Sequence, residues 1–202
     1  MHNTTTRRKQ QPVKKKFACV QGCSDCCIYR EYYPSPDFGK IGVLLLPEEK
    51  GKMEKLAKEK GIEIRIVPRL AVGGTAGPEK IIAYQMMGKQ KDGDLCPFLD
   101  LEKPSPHGGF ACGIYAQRPL ACSAYPVVDA GSKDVTLDPH CQFCKHNHNY
   151  STKASLEGLE NELESLSKIK AAVKAENGVH VWRYATATGE QATLDEGWVL
   201  ES

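Results

Sequence analysis

The sequence has no long apolar run. Its longest, IGVLLL at residues 41–46, ends at Pro47 and is far shorter than the ~18 residues that span a bilayer. The first sixteen residues contain six Lys or Arg, no acidic residue and no apolar stretch, so they do not form an ordinary secretory signal. These absences predict a cytoplasmic protein with no membrane partner, in which disulfides are not the default role of cysteine.

Common enzyme signatures are also absent. The chain has no GxGxxG after a strand, no P-loop, no HExxH and no GxSxG. The glycine-rich GGTAG at residues 73–77 is not followed by a Lys-Ser/Thr pair, so it is interpreted as a loop. Whether the chain is an enzyme therefore stays open at this level.

Acidic residues are missing from the N-terminal end, which sets it apart from the rest. Of the net charge of +2, residues 1–16 contribute +6, which leaves about −4 for the body of the chain. This predicts a disordered basic tail over 1–16. A basic tail also suggests weak binding to nucleic acid, although no aromatic residue is interleaved there to stack on bases.

Cysteine, by contrast, is abundant. All nine cysteines lie between residues 19 and 144, and the last 58 residues have none. The odd number would leave one thiol over in a closed disulfide framework, so a metal or cluster framework is favoured. The predicted metal ligands are Cys19, Cys23, Cys26, Cys27, Cys96, Cys112, Cys122, Cys141 and Cys144.

The densest group is CVQGCSDCC at residues 19–27. Gly22 and the Ser24-Asp25 pair favour a turn in which closely spaced thiolates converge. On an extended backbone, the side chains of Cys26 and Cys27 would face opposite ways. We therefore expect these two sulfurs to bind different metal atoms.

Apolar periodicity and terminal residues predict the regular elements. Residues 47–61 should form a helix that begins at a proline and ends at a glycine. The alternating residues 62–67 should form a strand, joined by a turn-rich connection over 69–80 to a second strand at 81–87. Residues 151–178 should form one helix, and 179–202 a β-hairpin.

Together these elements predict an α+β fold: a single loop-rich domain organised around a cysteine metal or cluster site. The metal-binding part should cover 17–150, with 151–202 packing on the same domain as a helix plus hairpin. The cysteine segment from 96 to 144 is punctuated by Pro and Gly, so metal–thiolate bonds would help to hold it together.

Three motifs in order carry a resemblance to a known family. CVQGCSDCC, CPFLD at 96–100 and CGIYAQRPLACSAYP at 112–126 resemble the YkgJ-like cysteine-cluster family, known as the putative zinc- or iron-chelating domain. The same module is similar to one in flagellin lysine N-methylases. The resemblance maps the family's eight cysteines onto all of the cysteines above except Cys144. Ser123 stands where the family usually has Arg.

Soft thiolate ligands favour iron–sulfur clusters or zinc. One dense group followed by single, widely spaced cysteines is less typical of zinc, so a [4Fe–4S] cluster is weighed slightly ahead of Zn²⁺. Arg118 is predicted to neutralise the charge of such a cofactor or to pair with Asp100. A second arrangement would join Cys141 and Cys144 with His146 and His148 in a zinc site.

The leading functional hypothesis is a metal- or cluster-binding protein for electron transfer or metal handling. It takes a metal ion or cluster as its ligand and allows a protein partner. The second is an enzyme, either cluster-dependent or a protein-modifying methylase of the kind the resemblance implies; the spacing of Cys19, Cys23 and Cys26 also matches radical-SAM enzymes. The third is a zinc-stabilised nucleic-acid binder that uses the basic tail.

Overall fold

The computed structural model describes residues 15–20, 22–28, 42–88, 95–147, 156–174, 179–185 and 197–200. The helices are α1 (Asp25–Ile28), α2 (Pro47–Lys60), α3 (Leu120–Ala124), α4 (Gln142–Lys145) and α5 (Glu160–Ala172), with a 3-10 turn at Tyr115–Gln117. The strands are β1 (Lys15–Lys16), β2 (Val43–Leu45), β3 (Ile66–Gly74), β4 (Gly77–Met86), β5 (Leu99–Pro104), β6 (Phe110–Cys112), β7 (Val127–Ala130), β8 (Val135–Leu137), β9 (Leu156–Glu157), β10 (His180–Ala185) and β11 (Gly197–Leu200).

A five-stranded sheet in the order β11-β10-β3-β4-β2 is the largest layer. All its neighbouring strands are antiparallel. Helix α2 lies against this sheet and buries Met53, Leu56 and Ala57 on it. Leu45 and Ala83 from the sheet are completely buried in the same cluster, so this layer has an apolar core of its own.

Helix α2 forms where the sequence predicts it. Pro47 occupies its first turn, where a missing backbone N–H costs nothing, and Glu48 and Glu49 favour the positive end of the helix dipole. Gly61 ends the helix in the left-handed conformation with φ 64°, and its amide donates back into the last turn. Local signals alone were therefore sufficient for this element.

The second half of the described chain is built from small units. Two hairpins, β5–β6 and β7–β8, are joined by α3, and α5 packs against α3 and β7. A second apolar cluster holds this region together, with Phe17, Val127, Phe143 and Leu166 among its buried members. Mixed helices and antiparallel sheets confirm the predicted α+β fold class.

The prediction for the first two strands was partly wrong. Residues 62–65 alternate in exposure as expected, but backbone pairing begins only at Ile66. The predicted connection over 69–80 is instead strand for most of its length. Its glycines mark a tight hairpin, since a Cβ on Gly73 would lie 2.3 Å from the carbonyl oxygen of Gly77.

The C-terminal prediction needs a similar correction. Helix α5 begins at Glu160, and the residues before it form β9 and a turn at Gly158 with φ 79°. The proposed capping residues, Ser151 and Thr152, lie outside the described residues. Strands β10 and β11 pair as the expected hairpin, and β10 also pairs with β3, so the hairpin extends the main sheet.

Among the residues described, no helix combines the length and the apolar character needed to cross a membrane.

Candidate metal centre

Seven of the nine cysteines line one cavity between the first cysteine loop, the β5–β6 hairpin and α3. The cavity encloses about 40 Å³, compared with the ~10–15 Å³ needed for one water. Apolar side chains, including Met86, Phe110 and Ile114, form much of its wall. The seven cysteines are Cys19, Cys23, Cys26, Cys27, Cys96, Cys112 and Cys122.

The first cysteine loop is a sharp turn. Gly22 has φ 80°, and Ser24 has φ 57°, a conformation that non-glycine residues adopt infrequently. The amide of Cys27 then donates to the carbonyl of Ser24 at 2.7 Å and starts the single helical turn of α1. The turn therefore places Cys23, Cys26 and Cys27 on the cavity from a span of five residues.

Backbone and side-chain hydrogen bonds dock the second segment on this loop. The amide of Cys96 donates to the carbonyl of Cys27 at 3.2 Å, and the amide of Phe110 donates to Ser24 Oγ at 2.7 Å. Gly109 lies so close that a Cβ there would be 2.3 Å from the carbonyl oxygen of Cys23. The tip of the β5–β6 hairpin is thus in direct contact with the first loop.

The third segment is positioned by a glutamate in α2. Glu49 accepts a hydrogen bond from the amide of Leu120 at 2.7 Å, at the start of α3, and from the amide of Leu46 at 2.9 Å. One carboxylate therefore satisfies the N-terminal ends of two helices. Because Cys122 lies in α3, Glu49 connects this cysteine to the main sheet layer.

Arg118 also lines the cavity; its role in neutralising a cofactor's charge stays a prediction. Its guanidinium stacks 3.9 Å above the ring of Tyr115, and its Nε donates to the Tyr115 carbonyl. The alternative pairing with Asp100 was wrong, since Asp100 pairs with Lys103 at 3.1 Å. The positive charge of Arg118 works against the burial that raises the pKa of Cys112.

The thiols interact closely with one another. The sulfurs of Cys26 and Cys27 are 3.9 Å apart, and Cys27 also shares a hydrogen bond with Cys96. These shared hydrogen bonds, first with Cys26 and then with Cys96, raise the pKa of Cys27 far above its ordinary value. The premise that Cys26 and Cys27 face opposite ways was wrong, because their backbone is helical and not extended.

Burial acts in the same direction on two further cavity thiols, Cys23 and Cys19. It raises the pKa of Cys23 to about 11, and the charge of Asp25 adds to the effect. Burial likewise raises the pKa of Cys19, although a hydrogen bond from Tyr115 opposes it. Without a cation, these neighbouring groups are therefore protonated thiols at neutral pH. In that form, no three Cys, His, Asp or Glu side chains of the described ranges converge on one metal position.

Cys141 and Cys144 do not line the cavity. Both are buried in the second apolar cluster beside Phe143, at the start of α4. Their sulfurs share a hydrogen bond, which lowers the pKa of Cys141 and raises that of Cys144. Lys145 joins this segment to α1 through an ion pair with the buried Asp25, at 3.3 Å.

Of the two predicted histidine ligands, the structure describes His146 alone. His146 is exposed, and His148 lies outside the described residues. His140, the other histidine nearby, contacts Asp138 at 3.2 Å. The Cys2His2 arrangement stays a prediction.

The sequence did not indicate the residues that position the cysteine segments without being cysteines themselves. Glu49 resembles any acidic residue in the first turn of a helix, and nothing local indicates that it also reaches α3. Ser24 was predicted as a turn residue, yet it also accepts the hydrogen bond from Phe110. Both contacts join residues far apart in sequence, so only the folded chain reveals them.

One protein-family model matches the sequence over residues 18–145, which includes all nine cysteines. Its description is "CxxCxxCC: Putative zinc- or iron-chelating domain". A search of curated proteins and a search of solved structures each return no match. The family match confirms the resemblance drawn from the three motifs and supports metal binding by the cysteines. A relation to flagellin lysine N-methylases stays a prediction.

Proposed function

Since the chain belongs to the CxxCxxCC family of zinc- or iron-chelating domains, we propose that the cavity is a thiolate metal centre. The observation that carries the proposal is that seven cysteines from three separate chain segments line one small cavity. Thiolates are the ligands that iron–sulfur clusters and zinc prefer. A bound cation would stabilise these closely spaced thiols as thiolates, because metal binding is coupled to the loss of their protons.

We favour a [4Fe–4S] cluster, with zinc as the second candidate. A cluster needs only four thiolates, in any order along the chain, and the cavity offers three segments that supply them. When bound, the cluster would supply one-electron chemistry for a role in electron transfer. Arg118 would offset its negative charge, and the apolar wall would limit contact with water. Zinc is favoured by its place in the family description.

The close contacts select the ligands to test first. Cys27 shares hydrogen bonds with Cys26 and Cys96, so these three sulfurs already lie near one another. The 3.9 Å between the Cys26 and Cys27 sulfurs is close to the ~3.8 Å expected for two thiolates on one tetrahedral zinc ion with ~2.3 Å bonds. This pair therefore supports the zinc candidate, since each iron of a [4Fe–4S] cluster takes one cysteine. We therefore propose that Cys26 and Cys27 belong to the same centre, in place of the separate atoms expected from an extended backbone.

Metal and sulfide analysis after anaerobic purification tests the proposal. The cluster predicts iron and acid-labile sulfide in equal amounts, lost together in Cys27→Ser and Cys96→Ser. Cys144→Ser is the matched control, because this thiol is buried but lies outside the cavity, and it should keep the cluster. Stoichiometric zinc without sulfide would show that the centre binds zinc and not a cluster. The absence of any bound metal would overturn the proposal.

Other roles stay predictions with tests of their own. A cytoplasmic location and a protein partner are proposed on the sequence alone. An enzyme role predicts saturable binding of S-adenosylmethionine or another small substrate. Nucleic-acid binding predicts a steep dependence on salt that disappears when residues 1–16 are removed.

A further inference from the structure

Arg69, in strand β3, is a buried cation far from the cysteines in the sequence. It is 1% exposed and is among the bulkiest side chains that the fold buries completely. Arginine carries five N–H donors and keeps its charge at neutral pH. Burying such a group is strongly destabilising unless its charge and its donors are matched.

The local backbone explains why the side chain lies here. Register in the β3–β4 pair passes from Pro68 opposite Tyr84 directly to Leu70 opposite Ala83. Arg69 is therefore the extra residue of a β-bulge. Bulges redirect a side chain and are frequent at functional positions.

The hydrogen bonds of Arg69 are incomplete. Its Nη1 donates to the carbonyl oxygen of Tyr184 in β10 at 3.4 Å, longer than the usual 2.7–3.2 Å. Its Nε is buried and has no hydrogen-bond partner among the residues that the structure describes. Within the described part of the chain, none of the ion pairs includes Arg69.

A second guanidinium lies near enough to act on Arg69. Arg183 in β10 lies opposite Leu70, the residue that follows Arg69. Burial, together with the charge of Arg183, lowers the pKa of Arg69 to about 10, which leaves it charged at neutral pH. The sheet therefore contains two neighbouring cations, one of them fully buried with an unused donor.

We propose that Arg69, with Arg183 beside it, binds a small oxyanion in the β3–β10 region of the main sheet. The ligand is a carboxylate or a phosphate, because a guanidinium pairs with either through two parallel N–H···O bonds. With Nη1 directed at Tyr184, the Nε side of the guanidinium is the side left for the anion. Because Arg69 is buried only in the folded chain, binding of an anion to it is coupled to folding. This site is independent of the metal proposal.

Unfolding of the full chain by urea, at constant ionic strength and constant metal content, tests this site. Chloride is replaced stepwise by inorganic phosphate in one series and by malonate in another. The wild-type ratio of folded to unfolded protein should rise about tenfold for each tenfold increase in the anion above its Kd. The series with the lower Kd identifies the preferred chemistry.

Two variants separate anion binding from a purely structural role. Arg69→Met should abolish the dependence on phosphate or malonate and, in chloride alone, should be at least as stable as the wild type. Arg65→Met is the control, because Arg65 is an exposed arginine at the start of the same chain segment; it should keep the dependence.

Three results would overturn the proposal. The first is a wild-type midpoint that does not move in either anion series. The second is an unchanged dependence in Arg69→Met, and the third is equal destabilisation of that variant at every anion concentration. If Arg69→Met does not fold, Arg183→Lys replaces it and should weaken the dependence at least tenfold; an unchanged dependence would count against the proposal.

Discussion

Single side chains join the three cysteine segments, and Ser24 is the clearest case. It is 5% exposed, has a positive φ, and accepts the amide of Phe110 at the far side of the site. Ser24→Ala removes the acceptor and leaves the partly buried N–H of Phe110 unpaired, so we expect it to lower the free energy of unfolding by about 1–3 kcal/mol. Urea unfolding measures the change.

Two further variants make this prediction specific. Ser132→Ala, in the exposed turn between β7 and β8, should change stability by less than about 0.5 kcal/mol. Ser24→Gly loses the same hydrogen bond but relieves the positive φ, so it should be less damaging than Ser24→Ala. Equal stability of Ser24→Ala and Ser132→Ala would show that the Phe110 contact has no energetic role.

Glu49 provides a second prediction at the residue scale. Its two carboxylate oxygens serve Leu46 at the start of α2 and Leu120 at the start of α3. Glu49→Ala should cost about 1–4 kcal/mol, since each lost cap is worth about 0.5–2 kcal/mol. Thermal unfolding checks the value, with the neighbouring exposed Glu48→Ala as control. A cost no larger than the control's would refute the double-cap assignment.

Among the secondary-structure elements, the β5–β6 hairpin has the tightest contact with the first cysteine loop. A Cβ at Gly109 would lie 2.3 Å from the backbone of Cys23, so Gly109→Ala must push the hairpin tip away. We expect the metal content per chain to fall at least twofold while the main sheet stays folded. Metal analysis and circular dichroism of the same sample separate the two effects.

Gly51→Ala is the matched control for that substitution. Gly51 lies in α2, and a Cβ there would meet nothing within 4 Å. The substitution should leave metal content unchanged and raise stability by about 0.5–1 kcal/mol, because alanine favours a helix over glycine. Normal metal content in Gly109→Ala would contradict the role given to the hairpin tip.

The elements differ in how well the sequence predicts them. Helix α2 is predicted to within a residue because Pro47 and Gly61, its boundary signals, are local. The start of α5 is not predicted correctly. Leucines at helical spacing continue back to Leu156, but Leu156 pairs with Lys15 in a strand. That pairing depends on a residue from the opposite end of the described chain, which no local pattern encodes.

At the scale of the whole molecule, the described residues form a sheet layer with its own core and a second part made of short elements around the thiols. Helices α3 and α4 have five and four residues, and β6 and β8 have three each. Such elements make few backbone hydrogen bonds, so metal–thiolate bonds should contribute much of their stability. We expect a strong chelator to open residues 95–147 to proteolysis while 42–88 stay protected.

Hydrogen exchange with and without the chelator gives the same comparison at higher resolution. Amides of β3 and β4 should stay protected in both states, and those of α3 and β6 should lose protection on metal removal. Equal loss of protection in both halves would indicate one cooperative unit, and no loss in either would indicate that the metal does not support the fold.

The stability of the metal-free protein should also depend on pH. Burial raises the pKa of Cys23 from its ordinary value of 9.0 to about 11, so the folded state favours the protonated thiol. This contribution is fully present below pH 9 and is lost as the pH rises towards 11. The urea concentration at the unfolding midpoint of the metal-free protein should therefore decrease as the pH is raised from 8 to 10.5.

The same measurement on the metal-loaded protein provides the comparison. Its ligands are already thiolates, so the decline at alkaline pH should be much smaller. In the metal-free protein, Cys23→Ser should reduce the decline because it removes one of the shifted groups. A metal-free midpoint that does not change with pH would contradict the protonated state assigned to the thiols.

The sequence predicted the chemistry of the candidate site but not which cysteines lie together in it. Nine cysteines and the three motifs sufficed to predict the family, whose description supports metal binding by the cysteines. The sequence did not show that Cys141 and Cys144 lie apart from the other seven, because the separation arises from the apolar cluster around Phe143. Nor did it show that α1 turns Cys26 and Cys27 towards each other.

The short parallel pair of β1 and β9 sets an order of events during synthesis. Lys15 pairs with Leu156, and the amide of Phe17, two residues before Cys19, donates to the carbonyl of Glu157 at 2.7 Å. The ribosome delivers the first four thiols long before Cys122, and it delivers the strand that anchors their loop later still. A nascent chain therefore presents an incomplete, unanchored set of ligands. Metal loading is expected to follow translation of residue 157, when a chaperone or a metal donor meets a finished site.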